Sequence, residues 1–445
     1  MKNGNNPSFY GTESIGKVLL KIAPPVMLAL LIQALYNIVD SFFVGKYSEH
    51  GLTALSVVYP IQLIAIALAV GTGVGVNTLM ARYYAEKRDS AANDAAGCGF
   101  VISIAMWAVF ALLSFFFMRL FAEISAKDPQ AVEYAVTYGK IVCIGSIGLF
   151  CESIFTKVHQ AEGNMTLPMA AQICGAVFNI LLDPIMIFGL FGFPEMGVAG
   201  AGIATVCGQV IAAVITGIKG LRRPPAFHII PFYAKNIFIL GYPSILMQSL
   251  YTVYILVLNI ILAGFCDEAV TVLGLYYKIQ SFFFIPLTGL QTCIVPIISY
   301  NYAMENYSRV RRTVAIAIGI TAGFMLVGTA CFELIPVQLL GIFSNSQKVF
   351  EIGRIALRII GTSFVPATFS LMLPVFFQAI GNAAPSVLLT LSRQIFCLIP
   401  IFFLMSLIGL NYAWIAFPAA ETITGTIGIL LYIKQIRSWK NSSAG

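Results

Sequence analysis

Residues 23–45 read APPVMLALLIQALYNIVDSFFVG, an apolar segment that is long enough to cross a membrane as a helix and contains one acidic residue, Asp40. On a helix, Gln33, Tyr36, Asn37 and Asp40 follow one another at intervals of three or four residues, so their side chains share one face. A carboxylate within a membrane is costly, and such residues usually face a cavity or a partner. The segment therefore predicts a polar site on an otherwise apolar helix.

The chain contains this segment twice. A shift of 218 residues places Pro25 on Pro243 and Tyr36 on Tyr254, and it places QAEGN at 160–164 on QAIGN at 378–382. Asp40 falls on Leu258, so only one of the two copies carries the acid. The pattern indicates an internal duplication, and we expect the chemistry to lie where the copies differ.

The composition is that of a polytopic membrane protein. Hydrophobic residues make up 59% of the 445 residues, charged residues only 10%, and the mean hydropathy is +0.88. The net charge is +7, but the sequence shows no clustering of basic and aromatic residues that would form a groove for nucleic acid. We therefore expect no nucleic-acid partner. The polar N-terminal residues lack a cleavable signal pattern, and the nine scattered cysteines show no metal-binding spacing.

Hydropathy predicts twelve transmembrane helices, an all-α fold with two six-helix lobes. The predicted spans are 17–44, 52–81, 94–121, 134–157, 168–191, 199–218, 237–264, 270–299, 312–332, 350–377, 385–408 and 412–433. Most Lys and Arg residues lie in alternate loops and at both termini, which places both termini in the cytoplasm and the chain in the plasma membrane. The predicted domains are an N-lobe (1–218), a basic cytoplasmic linker (219–235), a C-lobe (236–437) and a cytoplasmic tail (438–445).

A second polar group lies in the fifth span, where Asn179 and Asp183 are one turn apart and precede Pro184. The rise of a helix places Asp40, Asp183 and Thr205 at similar depths and Glu152 near the inner surface, where it would reach the interface or pair with Lys157. Burial disfavours the charged form of a carboxyl group, so these acids can serve a proton or a Na⁺ ion. The alternative is a hydrogen bond that only fixes helix packing.

The C-lobe offers aromatic and amide side chains in place of acids, and we expect them to line a substrate cleft together with part of the first span. A cleft of this kind suits bulky, lipophilic or cationic molecules. No ATP-binding or hydrolytic motif is present, so the sequence does not predict an enzyme or a cofactor other than the coupling ion. The cleft candidates are Gln33, Tyr36, Asn37, Met247, Gln248, Tyr251, Tyr254, Tyr277 and Gln280.

Several stretches of this sequence resemble those of the multidrug and toxic compound extrusion (MATE) transporters. The resemblance rests on NIVDSFFVG at 37–45, GVNTLMARYYAEKR at 75–88, the QAEGN loop and NILLDPIMIFGLFGFPEMGVAGAGIATV at 179–206. It implies two lobes around a central cleft and outward extrusion of drugs and organic cations in exchange for Na⁺ or H⁺. It also implies a cation or proton site made by Asp40, Asn179, Asp183 and Thr205, of which the first three would be the Na⁺ ligands. The family branch that also uses acids in the second lobe, on helices 7, 8 and 10, finds no counterpart here.

We therefore predict a multidrug efflux antiporter that works as a monomer in the lipid bilayer, with small-molecule drugs and organic cations as substrates. A flippase for a lipid or lipid-linked substrate of the same broad superfamily is the alternative, although it would need more cationic cleft residues than Lys278 and Arg393. An intramembrane receptor or enzyme is a third class, for which the chain offers neither an output domain nor a catalytic set. The sequence leaves open the choice between Na⁺ and H⁺.

Overall fold

The computed structural model describes residues 8–126, 128–343 and 346–442. Throughout these ranges the chain is helical and forms no strand. Its α-helices are α1 (Phe9–Thr12), α2 (Ile15–Tyr47), α3 (Glu49–Ala85), α4 (Asp89–Ser125), α5 (Pro129–Gly145), α6 (Ile147–Ala161), α7 (Thr166–Phe188), α8 (Val198–Gly220), α9 (Ile230–Ala263), α10 (Asp267–Ala303), α11 (Tyr307–Leu334), α12 (Pro336–Gly341), α13 (Gln347–Gly361), α14 (Phe364–Ala379), α15 (Ala383–Leu391), α16 (Ile399–Ser406), α17 (Leu410–Ala413) and α18 (Ala416–Ser442).

The predicted twelve spans are confirmed in number. Eleven helical segments of the described chain are long and apolar enough to cross a membrane. Helices α13 and α14 meet at a bend of 54° and are apolar enough only as a pair, so they make up the twelfth span if the pair crosses the membrane once. Several helices are longer than their hydropathy windows, because their polar ends continue past the apolar stretch.

The duplication is visible in the helices themselves. Helices α3 and α10 each contain 37 residues and start and end at positions that the 218-residue shift relates. The copies differ at α7, a continuous α-helix, whose counterpart consists of α15, a π-helical turn at Ser392–Leu398 and α16. Turns of the π type are rare and are often found at functional sites.

The chain divides into two compact units. One comprises residues 1–13 and 20–245, and the other comprises residues 14–19 and 246–445. The boundary lies inside α9, whereas the sequence predicts a linker at 219–235. The first unit contains the N-lobe helices up to α8, and the second contains the C-lobe core around Tyr254, Tyr276 and Trp414.

Local sequence explains where helices begin and end. Asp128 caps α5 by accepting hydrogen bonds from the N–H groups of Gln130 and Ala131, and its carboxylate lies 2.5 Å from the His50 imidazole. Although desolvation acts in the opposite direction, these contacts hold the pKa of Asp128 below its ordinary value. Gly189 ends α7 with a φ of 69°, a left-handed conformation that suits glycine.

Candidate functional site

A cavity of about 580 Å³ lies within the first unit, lined by residues of α2 to α8. This volume is in the range of cavities that bind small molecules. Its polar wall includes five of the residues predicted from the sequence, which are Gln33, Tyr36, Asp40, Asn179 and Thr205. The cavity also has polar lining residues that the sequence did not single out as site residues, which are Ser41, Ser56, Tyr59, Gln62, Tyr138, Ser146, Glu152, Gln172 and Gln209.

Three of the predicted coupling residues, Asp40, Asn179 and Thr205, line this cavity, and the fourth, Asp183, contacts Asn179. The Asn179 amide nitrogen is 3.4 Å from Asp183 Oδ1 and 3.5 Å from Thr205 Oγ1, so one side chain joins α7 to α8. All of them are buried: Asp183 is 0% exposed, Asn179 2%, and Asp40 and Thr205 8% each. Asp183 is not among the residues that line the cavity, and its carboxyl group interacts electrostatically with that of Asp40.

Glycine allows α7 and α8 to come this close. A Cβ atom at Gly175 would lie 2.6 Å from the Gly208 carbonyl oxygen, and one at Gly208 would lie 2.7 Å from the Gly175 carbonyl oxygen. Small residues at such crossings let two membrane helices touch through their backbones. This contact, one turn before Asn179, holds the amide within reach of Thr205.

Three oxygen atoms of the site have no hydrogen-bond donor among the described residues: Asp40 Oδ1, Asn179 Oδ1 and Asp183 Oδ2. Buried polar atoms are rarely left without a partner, so this set favours a transient one, such as a proton or a cation. Carboxylate, amide and hydroxyl oxygens are ligands for hard cations. Pro184, next to Asp183, has no N–H to donate to the carbonyl of Ile180, so that oxygen lacks its usual helical hydrogen bond.

Glu152 does not lie apart from Asp40, as its predicted depth implied. It lines the same cavity as Asp40 and accepts hydrogen bonds from Thr156 Oγ1 at 2.6 Å and Gln172 Nε2 at 3.3 Å. Depth alone does not show which face of a helix meets a cavity, and α6 ends at Ala161, one turn beyond the hydropathy window. By the helix rise Glu152 lies about 14 Å from that end. Lys157, the proposed partner, donates to Gln160 Oε1 at 2.9 Å.

The remaining cleft candidates lie mostly in the second unit and differ in accessibility. Tyr254 is 2% exposed and belongs to the C-lobe core, so a substrate does not reach its ring in this structure, whereas Tyr251 is 36% exposed. These two rings and that of Tyr277 contact one another edge to face or tilted, with centroids 5.4–6.3 Å apart. Met247, Gln248 and Gln280 are half-buried, and the Asn37 side chain lies outside the described part of the structure.

The internal duplication contains a signal for some of these cavity residues. Gln62 and Tyr59 align with Gln280 and Tyr277 under the shift of 218 residues, so two N-lobe residues could have been inferred from their C-lobe counterparts. Gln62 Nε2 lies 3.4 Å from the Tyr138 hydroxyl and connects α3 to α5. Tyr138 itself sits in a span without a distinctive motif, and only the packing of α5 brings it to the cavity.

Comparison with known proteins gives a consistent result. The MepA multidrug export proteins of Staphylococcus saprophyticus subsp. saprophyticus and of Staphylococcus aureus (strain MRSA252) are 23% and 24% identical to this chain over 435 and 433 residues. In both cases the match covers 95% of this chain and 94% of the relative. A solved structure of an outward-facing multidrug resistance MATE family transporter of the MOP superfamily matches with a TM-score of 0.90 at 23% identity. It covers 99% of this chain and 100% of that chain, a likeness that concerns the fold.

The model of the MatE family matches the chain twice, at residues 25–185 and 243–404. The two matches begin at positions related by the 218-residue shift, so the family model confirms the duplication independently of the alignment of the chain with itself. Together they cover well over half of the residues, and the chain therefore belongs to the MatE family.

Proposed function

We propose that the protein is a secondary active multidrug efflux antiporter, which exports lipophilic and cationic organic compounds in exchange for entering H⁺ or Na⁺. The observation that carries the proposal is the pair of buried acids, Asp40 and Asp183, beside a cavity large enough for a small molecule. The MepA relatives, which are multidrug export proteins, support the same function.

The N-lobe acids perform the coupling. With both carboxyl groups charged, Asp40 and Asp183 repel each other in a poorly solvated site, and a bound proton or Na⁺ removes that cost. A cation would be held by Asp40, Asn179 and Asp183, with the Thr205 hydroxyl beside them. Occupancy therefore favours a different packing of α2, which contains Pro24 and Pro25 as a point where the helix can bend.

The cavity wall also suits the proposed substrates. Tyr36, Tyr59 and Tyr138 contribute aromatic rings, which attract cations through their faces, and Glu152 supplies a second carboxyl group besides that of Asp40. An ion that enters down its gradient provides about 2.3 kcal/mol per charge for each 100 mV of membrane potential. A protein of this kind works as a monomer in the plasma membrane with both termini in the cytoplasm, and it needs no cofactor other than its coupling ion.

Dye transport tests the proposal. The full-length protein is reconstituted in vesicles, and movement of an ethidium-type dye is followed after imposing a pH gradient, a Na⁺ gradient or neither. We expect accumulation against the dye gradient with one of the two ion gradients and none without them. Equal dye movement under all three conditions in vesicles that contain inserted protein would refute antiport.

A further inference from the structure

The second unit contains a buried ion pair that the proposed function does not use. Arg393, in the π-helical turn, donates from Nη2 to Glu421 Oε1 at 2.6 Å and from Nε to both Glu421 oxygens at 2.9 and 3.1 Å. The Ser370 hydroxyl donates to Glu421 Oε2. Arg393 is 8% exposed, Glu421 6% and Ser370 1%, so all three side chains are buried.

The residues of this group correspond, through the duplication, to residues that line the N-lobe cavity. Under the 218-residue shift Arg393 corresponds to Gly175 and Ser370 to Glu152, and both of these N-lobe residues line the cavity. Tyr254, whose hydroxyl interacts with Arg393, corresponds to Tyr36 of the cavity wall. The C-lobe thus has a guanidinium group at the position where the N-lobe has a glycine that lines its cavity.

The acidic residue also occupies different positions in the two lobes. The C-lobe has a serine at the position of Glu152 and an acid, Glu421, at the position of Ile203. Both lobes therefore have acidic residues in this region, but in the C-lobe the carboxyl group of Glu421 already holds a cation. A buried charge pair is expensive to desolvate and is not required for packing, since apolar residues of similar size usually serve as well.

The backbone around Arg393 differs from that around Gly175 in a way that makes room for the longer side chain. In the N-lobe a Cβ atom at Gly175 would meet the Gly208 carbonyl oxygen at 2.6 Å, so a side chain as long as arginine does not fit that crossing. In the C-lobe the equivalent of Gly208 is Thr426, and the helix widens into a π turn at Ser392–Leu398. The change of helix type is confined to the segment that carries Arg393.

We propose that the C-lobe contains a second cation site, which the chain itself fills with the guanidinium of Arg393 and whose counter-charge is Glu421. The ligand class of this site is a small planar cation of the guanidinium type. On the proposed antiport function, the consequence is a single exchangeable ion site per chain, because the C-lobe carboxylate is permanently neutralised.

Replacing the arginine by the N-lobe residue tests the site. In Arg393→Gly the tethered cation is removed and Glu421 remains, so the purified full-length protein should bind radiolabelled guanidinium saturably, at about one per chain in excess of wild type. The double variant Arg393→Gly with Glu421→Gln should lose this binding. Arg358→Gly is the matched control, because it removes an exposed C-lobe arginine that donates to the Glu333 carbonyl oxygen. It should bind no more guanidinium than wild type.

The result that would overturn the proposal is a folded Arg393→Gly protein with no added guanidinium binding, or with binding that Glu421→Gln leaves intact. If the glycine variant does not fold, the same question is answered by Arg393→Lys and Arg393→Gln. A cation site should retain more thermal stability with lysine than with the neutral glutamine, and equal losses would refute it. Neither measurement involves transport, so failure here is distinct from failure of the antiport proposal.

Discussion

Asp40→Asn isolates the coupling role, because the substitution changes charge and proton binding while it keeps the size of the side chain. Asp40 is 8% exposed and its Oδ1 atom has no hydrogen-bond donor within the described structure. The new amide brings N–H donors into this buried site, which costs about 1–3 kcal/mol if they find no acceptor. We therefore expect an inserted, folded protein of somewhat reduced stability.

The effect on transport should be much larger than the effect on folding. If one proton enters per cycle, a gradient of one pH unit supplies about 1.4 kcal/mol, which is a tenfold accumulation of substrate. An asparagine at position 40 cannot release or take up that proton, and it offers a cation one carboxylate fewer. Accumulation driven by the gradient should fall from about tenfold per pH unit to none, while facilitated equilibration of the dye remains.

The measurement is the steady-state dye ratio in vesicles at several imposed gradients, with the amount of inserted protein determined in each preparation. Glu133→Gln is the matched control, since it makes the same change at an exposed carboxylate that is paired with Arg119 outside the cavity. The control should follow the wild type. A wild-type dye ratio in correctly inserted Asp40→Asn would refute the assignment of coupling to this residue.

Three further predictions follow from the cavity and from the helix ends. Because Glu152 lines the cavity, Glu152→Gln should lower initial rates for cationic substrates several-fold and those for neutral compounds less, and an equal loss for both would contradict a direct role of its charge. Gly175→Ala should destabilise the protein by about 1–3 kcal/mol through its clash with Gly208, as measured by thermal unfolding, whereas Gly319→Ala, with open space around it, should be neutral or stabilising. Asp128→Ala should lower the melting temperature at neutral pH. Since the pKa of Asp128 is lowered in the folded protein, its contribution is present above about pH 4 and lost below it, and a difference that persists in acid would contradict this.

The sequence alone determined the architecture and pointed to the polar residues of the candidate N-lobe site. Membrane-spanning helices must be apolar over a fixed length, so twelve spans can be counted from hydropathy, and the duplication can be read by aligning the chain with itself. Asp40, Asn179 and Asp183 stand out for the same reason, since ionisable and amide groups are rare within apolar spans. Their i, i+4 and same-depth relations follow from helix geometry, which is local and does not depend on the tertiary fold.

Tertiary packing decided the rest. Glu152 lines the cavity beside Gln172 of α7, and hydropathy along one helix does not predict which face of that helix meets its neighbours. The partner of Arg393 is Glu421, which lies on another helix 28 residues away, so no local pattern relates the two. Tyr254 faces the core and not a cleft, because the burial of an aromatic side chain depends on which neighbouring helices cover it, and that is set only when the helices assemble.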